Sequence, residues 1–325
     1  MHLSTSNSDP RSHSRKLDRF TIVLLATIVA VLAMAEVVSR VGFDRISKVQ
    51  RRELAQRDAI LTVKDSSRDE FAHVAVLGNS LLLDGVDVSL LAGKIGPKFV
   101  PAPYFVLGAE YYDWYFGLKR LFREGMHPSY VLVGLSPNQF ASDYTRGDYC
   151  AHYLFQASDL LDVAQRTHMD ATRTSGFVLA HFSEFYSTRE VTRSFLMNRL
   201  LPQVGELFHS RFGPTRDPEL NEEVLRRVAH DRLTALNELS RAQGARFILV
   251  VPPSYQKGGE TIAQVGRELG IPVLVPIKDG ALDSSYYDPD GFHLNDKGAQ
   301  VFTSELAKTL LDDPRIEQAN VRAQF

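Results

Sequence analysis

With only one cysteine, Cys150, the 325-residue chain forms no intrachain disulfide and offers no Cys/His set with zinc-binding spacing. Its 10 histidines are scattered and form no His-Glu-x-x-His pair. No Gly-x-Gly-x-x-Gly follows the first predicted strand, which argues against a nucleotide-binding Rossmann protein. Neither sign of charge dominates. The 37 Lys and Arg nearly balance the 39 Asp and Glu, and a net charge of -2 gives no electrostatic reason to expect nucleic acid as a partner. There is no internal repeat.

What is present begins with ordinary globular composition, 44% hydrophobic and 23% charged. The length suits one large domain or two modest ones. Residues 1–19 read as a cytoplasmic basic tail, Ser-rich and carrying Arg11, Arg15, Lys16 and Arg19. Residues 20–35 contain no charge. Counted on to Val41, about 22 residues make a helix of roughly 33 Å, enough to cross a bilayer core. The basic flank places the remainder outside, so the expected product is a single-pass protein of the cell (inner) membrane with a periplasmic or otherwise extracytoplasmic domain. Ala33-Met34-Ala35 has the small-x-small form of a signal-peptidase site, which keeps open a cleaved secretion signal over 1–35. Continued apolar residues at Val37, Val38, Val41 and Phe43 favour the uncleaved anchor. Residues 42–72 read as a helical stalk.

From His73 the chain alternates strands and helices, the pattern of a parallel sheet covered on both faces. Strands are predicted at 74–77, 103–107, 130–135, 247–251 and 273–276, and helices at 109–122, 219–243, 261–269 and 296–311. Asn295 or Asp296 caps the last helix. Residues 139–215 break this rhythm. They are rich in aromatics and arginines and read as a helical insertion over the strand ends, serving either as a lid suited to a sugar chain or as a small core of its own. The domain is thus expected over 73–312, with a polar tail over 313–325.

Gly78-Asn79-Ser80 ends the first strand in a tight turn and leaves the Ser80 hydroxyl at the sheet edge where open α/β folds place ligands. Alone, such a turn more often is a plain strand-to-helix turn with Ser80 as the helix N-cap, and the case for chemistry depends on partners elsewhere. Asp290-Gly-Phe-His293 sets a carboxylate and an imidazole three residues apart, just before the final helix. In one turn that spacing lets the carboxylate fix the tautomer of His293 and leaves the other ring nitrogen as a base. A serine hydroxyl needs such a base to become a nucleophile.

Together with Gly108 after the second strand and Asn138 after the third, these blocks occur in the order found in the SGNH (GDSL-type) hydrolase family. The chain resembles that family over about 74–138 and 246–311. The resemblance implies a flavodoxin-like three-layer α/β/α fold around a central parallel sheet, with Ser80 as nucleophile, His293 as base and Asp290 as its orienter. It also implies an oxyanion hole from the Ser80 and Gly108 backbone N–H groups and the Asn138 side chain. Two blocks depart from the family pattern: Asn79 stands where an Asp is usual, and Ser136-Pro137-Asn138-Gln139 replaces Gly-x-Asn-Asp. Asn79, Tyr111, Tyr286 and Tyr287 are expected to border the substrate cleft. The spacing to Gly85 and the N-terminal segment look like the exported subgroup similar to alginate O-acetylation factors and DltD-like D-alanylation proteins.

The implied activity is acyl ester hydrolysis or O-acyl transfer, with acetyl as the group, on a cell-surface or secreted polysaccharide. A membrane-bound O-acyltransferase is the implied partner if transfer is the reaction. This chemistry needs no metal and no cofactor. The reading from another class is a non-catalytic polysaccharide-binding or assembly protein on the same scaffold.

Overall fold

The computed structural model describes residues 18–63, 71–200 and 220–317. The basic residues Arg11, Arg15 and Lys16, the end of the insertion and most of the tail lie outside the described residues.

Two helices come first, α1 (Arg19–Ile46) and α2 (Lys48–Leu61). Then follow β1 (Ala72–Gly78), α3 (Ser80–Gly85), α4 (Val88–Ile95), β2 (Phe99–Phe105), α5 (Tyr111–Arg123), β3 (Tyr130–Gly134) and α6 (Pro137–Ala141). The insertion supplies α7 (Asp148–Tyr153), α8 (Leu160–Arg166), α9 (Ala171–Phe182), α10 (Glu184–Ser187) and α11 (Arg189–Leu200). The chain returns to the sheet through α12 (Glu222–Arg241), β4 (Arg246–Val250), α13 (Gly259–Leu269), β5 (Val273–Leu274) and α14 (Asp296–Asp312).

The five strands are parallel in the order β2-β1-β3-β4-β5, the flavodoxin-like arrangement. Both faces are covered, because side chains alternate along each strand. Ala75, Leu77, Val131, Val133, Phe247 and Leu249 face a core that includes Trp114 and Leu233. Val74, Val76, Leu132, Ile248 and Val250 face the other, against Leu82, Leu91, Phe302 and Leu306.

The register sets the carboxyl edge. Phe105, Gly78, Gly134, Val250 and Leu274 stand side by side across it. Gly78 and Gly134 are neighbours for a packing reason. A Cβ on either would meet Leu82, at 2.8 Å from Gly78 and 2.3 Å from Gly134. The bare backbone at both positions lets α3 settle onto the sheet and fixes the height of Ser80, its first residue.

β2 begins earlier than the hydropathy pattern predicts, because Pro101 and Pro103 lie inside it, paired with Val74 and Val76. Proline is tolerated there because β2 is an edge strand. Its outer edge is covered by α2, which corrects the expected stalk over 42–72. The Gln56 side-chain oxygen accepts the Phe105 N–H at 3.0 Å, Glu53 accepts the Leu107 N–H at 3.2 Å, and Ile60 is fully buried. Polar side chains here stand in for a neighbouring strand and protect an open edge.

Within α1, Arg19–Phe43 is long and apolar enough to cross a bilayer, and no residue of its most apolar stretch is buried by the rest of the described chain. At about 1.5 Å per residue the segment spans roughly 37 Å.

A carboxyl group lies inside the first core. Asp113 is fully buried at the start of α5, where its Oδ2 accepts the N–H groups of Glu110 at 2.9 Å and Arg146 at 3.0 Å. Burial pushes its pKa up to about 7, against the lowering effect of those two N–H donors. The folded chain therefore holds a proton that the unfolded chain releases near pH 4. Stability is expected to fall as pH rises from about 4 to about 7. Asp113→Asn, which keeps an acceptor oxygen, flattens that part of a denaturant-melt series.

Candidate active site

Ser80 is the first residue of α3, and Asn79 caps the helix by accepting the Leu81 N–H at 3.0 Å. At that first-turn position the Ser80 N–H has no intrahelical acceptor. The imidazole is carried by the fourteen-residue 282–295 loop, which leads directly into α14. Asn295 ties that loop together, donating to the Ser285 carbonyl at 2.9 Å and the Tyr287 carbonyl at 3.1 Å while its oxygen caps α14. Gly291 takes the left-handed conformation, φ +68°, that closes the turn, and the Asp288 N–H donates to the His293 carbonyl at 2.8 Å.

Inside this turn the two oxygens of Asp290 divide their work. Oδ1 accepts the backbone N–H groups of Phe292 at 2.8 Å and His293 at 3.0 Å, and Oδ2 lies 2.6 Å from His293 Nδ1. An ionised carboxylate only accepts, so Nδ1 carries the proton and Nε2 is left as the acceptor. His293 Nε2 is 2.8 Å from the Ser80 hydroxyl. Partial burial works to raise the Asp290 pKa. The hydrogen bonds from the His293 ring and from the Phe292 and His293 N–H groups outweigh it, and the net pKa lies below the ordinary carboxylate value.

The three candidate oxyanion donors follow three adjacent strand ends. Ser80 is two residues past Gly78, Gly108 three past Phe105, and Asn138 four past Gly134, all from one register line. Among the described residues the Ser80 and Gly108 N–H groups have no hydrogen-bond acceptor. Gly108 has φ +68° and is exposed. Asn138 is half-buried as the second residue of α6. The unusual residues around it have a local purpose: Ser136 and Gln139 form a reciprocal capping box, with the Gln139 side-chain oxygen accepting the Ser136 N–H at 3.1 Å.

Asn79 is placed in the wall and not in the cleft, a correction to its expected substrate contact. It is 0% exposed, and its Nδ2 donates to the Ala109 carbonyl at 2.9 Å. It joins the Ser80 turn to the Gly108 turn with one donor and one acceptor, which an ionised Asp, an acceptor only, cannot do. Asn79→Asp is expected to lower unfolding free energy by about 1–3 kcal/mol by leaving a buried carbonyl facing a carboxyl, read in a denaturant melt. Tyr111 is likewise corrected. It is 4% exposed, packed against Tyr112, Tyr115 and Phe140, with the Arg232 guanidinium 4.3 Å above its ring.

Tyr286 and Tyr287 belong to the frame of the His293 loop. Lys297 stands 4.0 Å over the Tyr286 ring, and Tyr287 bridges to Leu294 and packs on the second core. Residues that sequence reasoning missed flank the site instead. One groove of about 600 Å³ is lined by Asp84, Asp288, Asp296 and Lys297 among others. Burial, with neighbouring Asp288 and Asp290, raises the Asp84 pKa against the opposing pull of His293 and Arg52. A second groove of about 450 Å³ in the insertion is lined by Tyr144, Arg146, Arg173, Tyr186 and Arg189 among others. Arg146 brings it to the site, since a Cβ on Gly108 would lie 3.8 Å from its Cδ. No group of three or more His, Cys, Asp or Glu suited to a metal ion occurs among the described residues.

No protein-family model matches the chain, and no curated protein sequence does. Among solved structures the chain is similar to TesA, at 13% identity and a TM-score of 0.34, covering 73% of this chain and 97% of that one. It is also similar to the lipase Lip_vut3 from a goat rumen metagenome, at 10% identity and a TM-score of 0.35, with coverage of 73% and 97%. Likeness this distant carries no functional argument, and the chemistry rests on the site's own residues.

Proposed function

We propose that this chain is an SGNH-type serine acyl ester hydrolase or O-acyltransferase. It acts on acyl groups, most simply acetyl, of a cell-surface or secreted polysaccharide, and is held at the outer side of the cell membrane by α1. The observation that carries the reading is the continuous relay from Asp290 Oδ2 through His293 to the Ser80 hydroxyl, at 2.6 and 2.8 Å. His293 Nε2 takes the Ser80 proton as Oγ attacks the ester carbonyl. The carbonyl electrons move onto oxygen, and the Ser80 N–H, the Gly108 N–H and the Asn138 amide NH₂ donate hydrogen bonds to that oxyanion. Collapse expels the alcohol, which receives the proton from His293, and leaves an acyl-serine. Water then completes hydrolysis, or a sugar hydroxyl completes transfer: His293 takes the attacking group's proton, the acyl–Oγ bond breaks, and the proton passes back to Ser80 Oγ.

The glycan part of the proposal is supported by the second groove. Tyrosine rings and planar guanidinium groups in one groove, of which Arg146 reaches Gly108, suit sugar rings and their hydroxyls. For transfer, the partner that hands on the acyl group is a membrane-bound O-acyltransferase in the same membrane. The experiment compares release of acetate from a small acetyl ester with acetylation of an added oligosaccharide, using the purified chain and Ser80→Ala. Activity in either assay that persists in Ser80→Ala contradicts the proposal, and absence of both in the native chain supports the non-catalytic binding protein instead.

A further inference from the structure

We propose that the last turn of α9 and the start of α10 form a membrane-seated foot, immersed in the outer lipid interface beside α1. The inference rests on the reading of α1 as an uncleaved anchor, and goes beyond it. Counted from Phe20, about 20 helical residues cross the roughly 30 Å hydrocarbon core. Glu36 then falls just inside the outer boundary, where a carboxylate persists only with partners.

Its partners come largely from the insertion. Glu36 accepts from the Ser183 hydroxyl at 2.7 Å and from the backbone N–H groups of Glu184 at 3.0 Å and Phe185 at 3.2 Å. Arg40, one turn on, donates to Glu36 at 2.7 Å and to the Phe182 carbonyl at 3.3 Å. Those bonds fix the 182–185 backbone at the depth of Glu36.

The side chains next to these bonds are apolar and uncovered. Phe182 is 62% exposed, Phe185 40% and Leu179, one turn earlier in α9, 50%. A soluble surface has no use for three large apolar groups in one place, whereas the boundary between headgroups and acyl chains takes aromatic and leucine side chains readily. Continuity with the apolar span identifies the occupant as phospholipid. The insertion that carries the Arg146 groove is thereby fixed relative to the bilayer, so the site works at a set distance from the membrane surface.

The test uses the full chain in phosphatidylcholine–phosphatidylglycerol vesicles containing lipids with a nitroxide quencher near the headgroup. The native Trp114 is fully buried and gives a constant background. Phe182→Trp, and separately Phe185→Trp, are expected to lose about half or more of the added fluorescence. Val224→Trp, exposed on α12, is expected to lose none. If the chain floats with the vesicles but tryptophan at 182 and at 185 is quenched no more than at 224, the foot is refuted and the anchor stands. If the chain does not float, the anchored reading fails and the foot with it.

Discussion

Ser80→Ala is expected to lower ester turnover by about 10⁴-fold or more and to abolish reaction with a serine-directed phosphonate. The loss is large because the hydroxyl stands at the meeting point of the relay and the strand-end donors. Its stability effect is expected to be small. Ser80 is the first residue of α3, and the cap is made by Asn79, so alanine leaves the helix start intact. A melt that superimposes on the native one, beside lost turnover, separates a chemical role from a structural one. Turnover within tenfold of native contradicts the assignment of Ser80 as nucleophile.

Asp290→Asn is the second large effect, expected at about 10⁴-fold in kcat with little change in KM. The reason is specific to this turn. Asp290 uses one oxygen for two backbone N–H groups and the other for His293 Nδ1. An asparagine that keeps its oxygen on the backbone must turn its NH₂ toward Nδ1. That nitrogen then has to accept, the ring proton moves to Nε2, and the base facing Ser80 is lost. Asparagine in the opposite orientation restores the tautomer but strips both backbone donors of their acceptor and loosens the turn. The native carboxylate also contributes to stability above the ordinary carboxyl pKa near 4, and that contribution is lost as pH falls through its depressed value. Asp290→Asn is therefore expected to show a weaker fall in stability at low pH. An unchanged kcat contradicts the tautomer argument.

The parallel sheet was readable because buried strands are short β-branched runs closed by glycine, as at Val74 to Gly78 and Tyr130 to Gly134. The relay was readable because Asp290 and His293 are local to one turn, and only the hydroxyl had to come from a distance. Asn79 was not, because its second partner, Ala109, lies thirty residues away on another strand end. The same holds for α2. Gln50, Glu53 and Gln56 look like a solvated face, yet Gln50 and Glu53 are buried, and Glu53 and Gln56 hold N–H groups at and just past the end of β2. Hydropathy cannot distinguish a polar group facing water from one facing an unpaired strand edge. Tyr111 fails for a related reason, since a ring at a helix start faces cleft or core according to what packs beside it.

The most direct measurement is mass analysis of the full chain after brief incubation with an activated acetyl ester and acid quench. The expected result is one added acetyl group, found on the peptide containing Ser80 and absent in Ser80→Ala. Acetyl on another residue, or turnover of the ester by a chain whose Ser80 peptide never gains mass, would contradict an acyl-serine route.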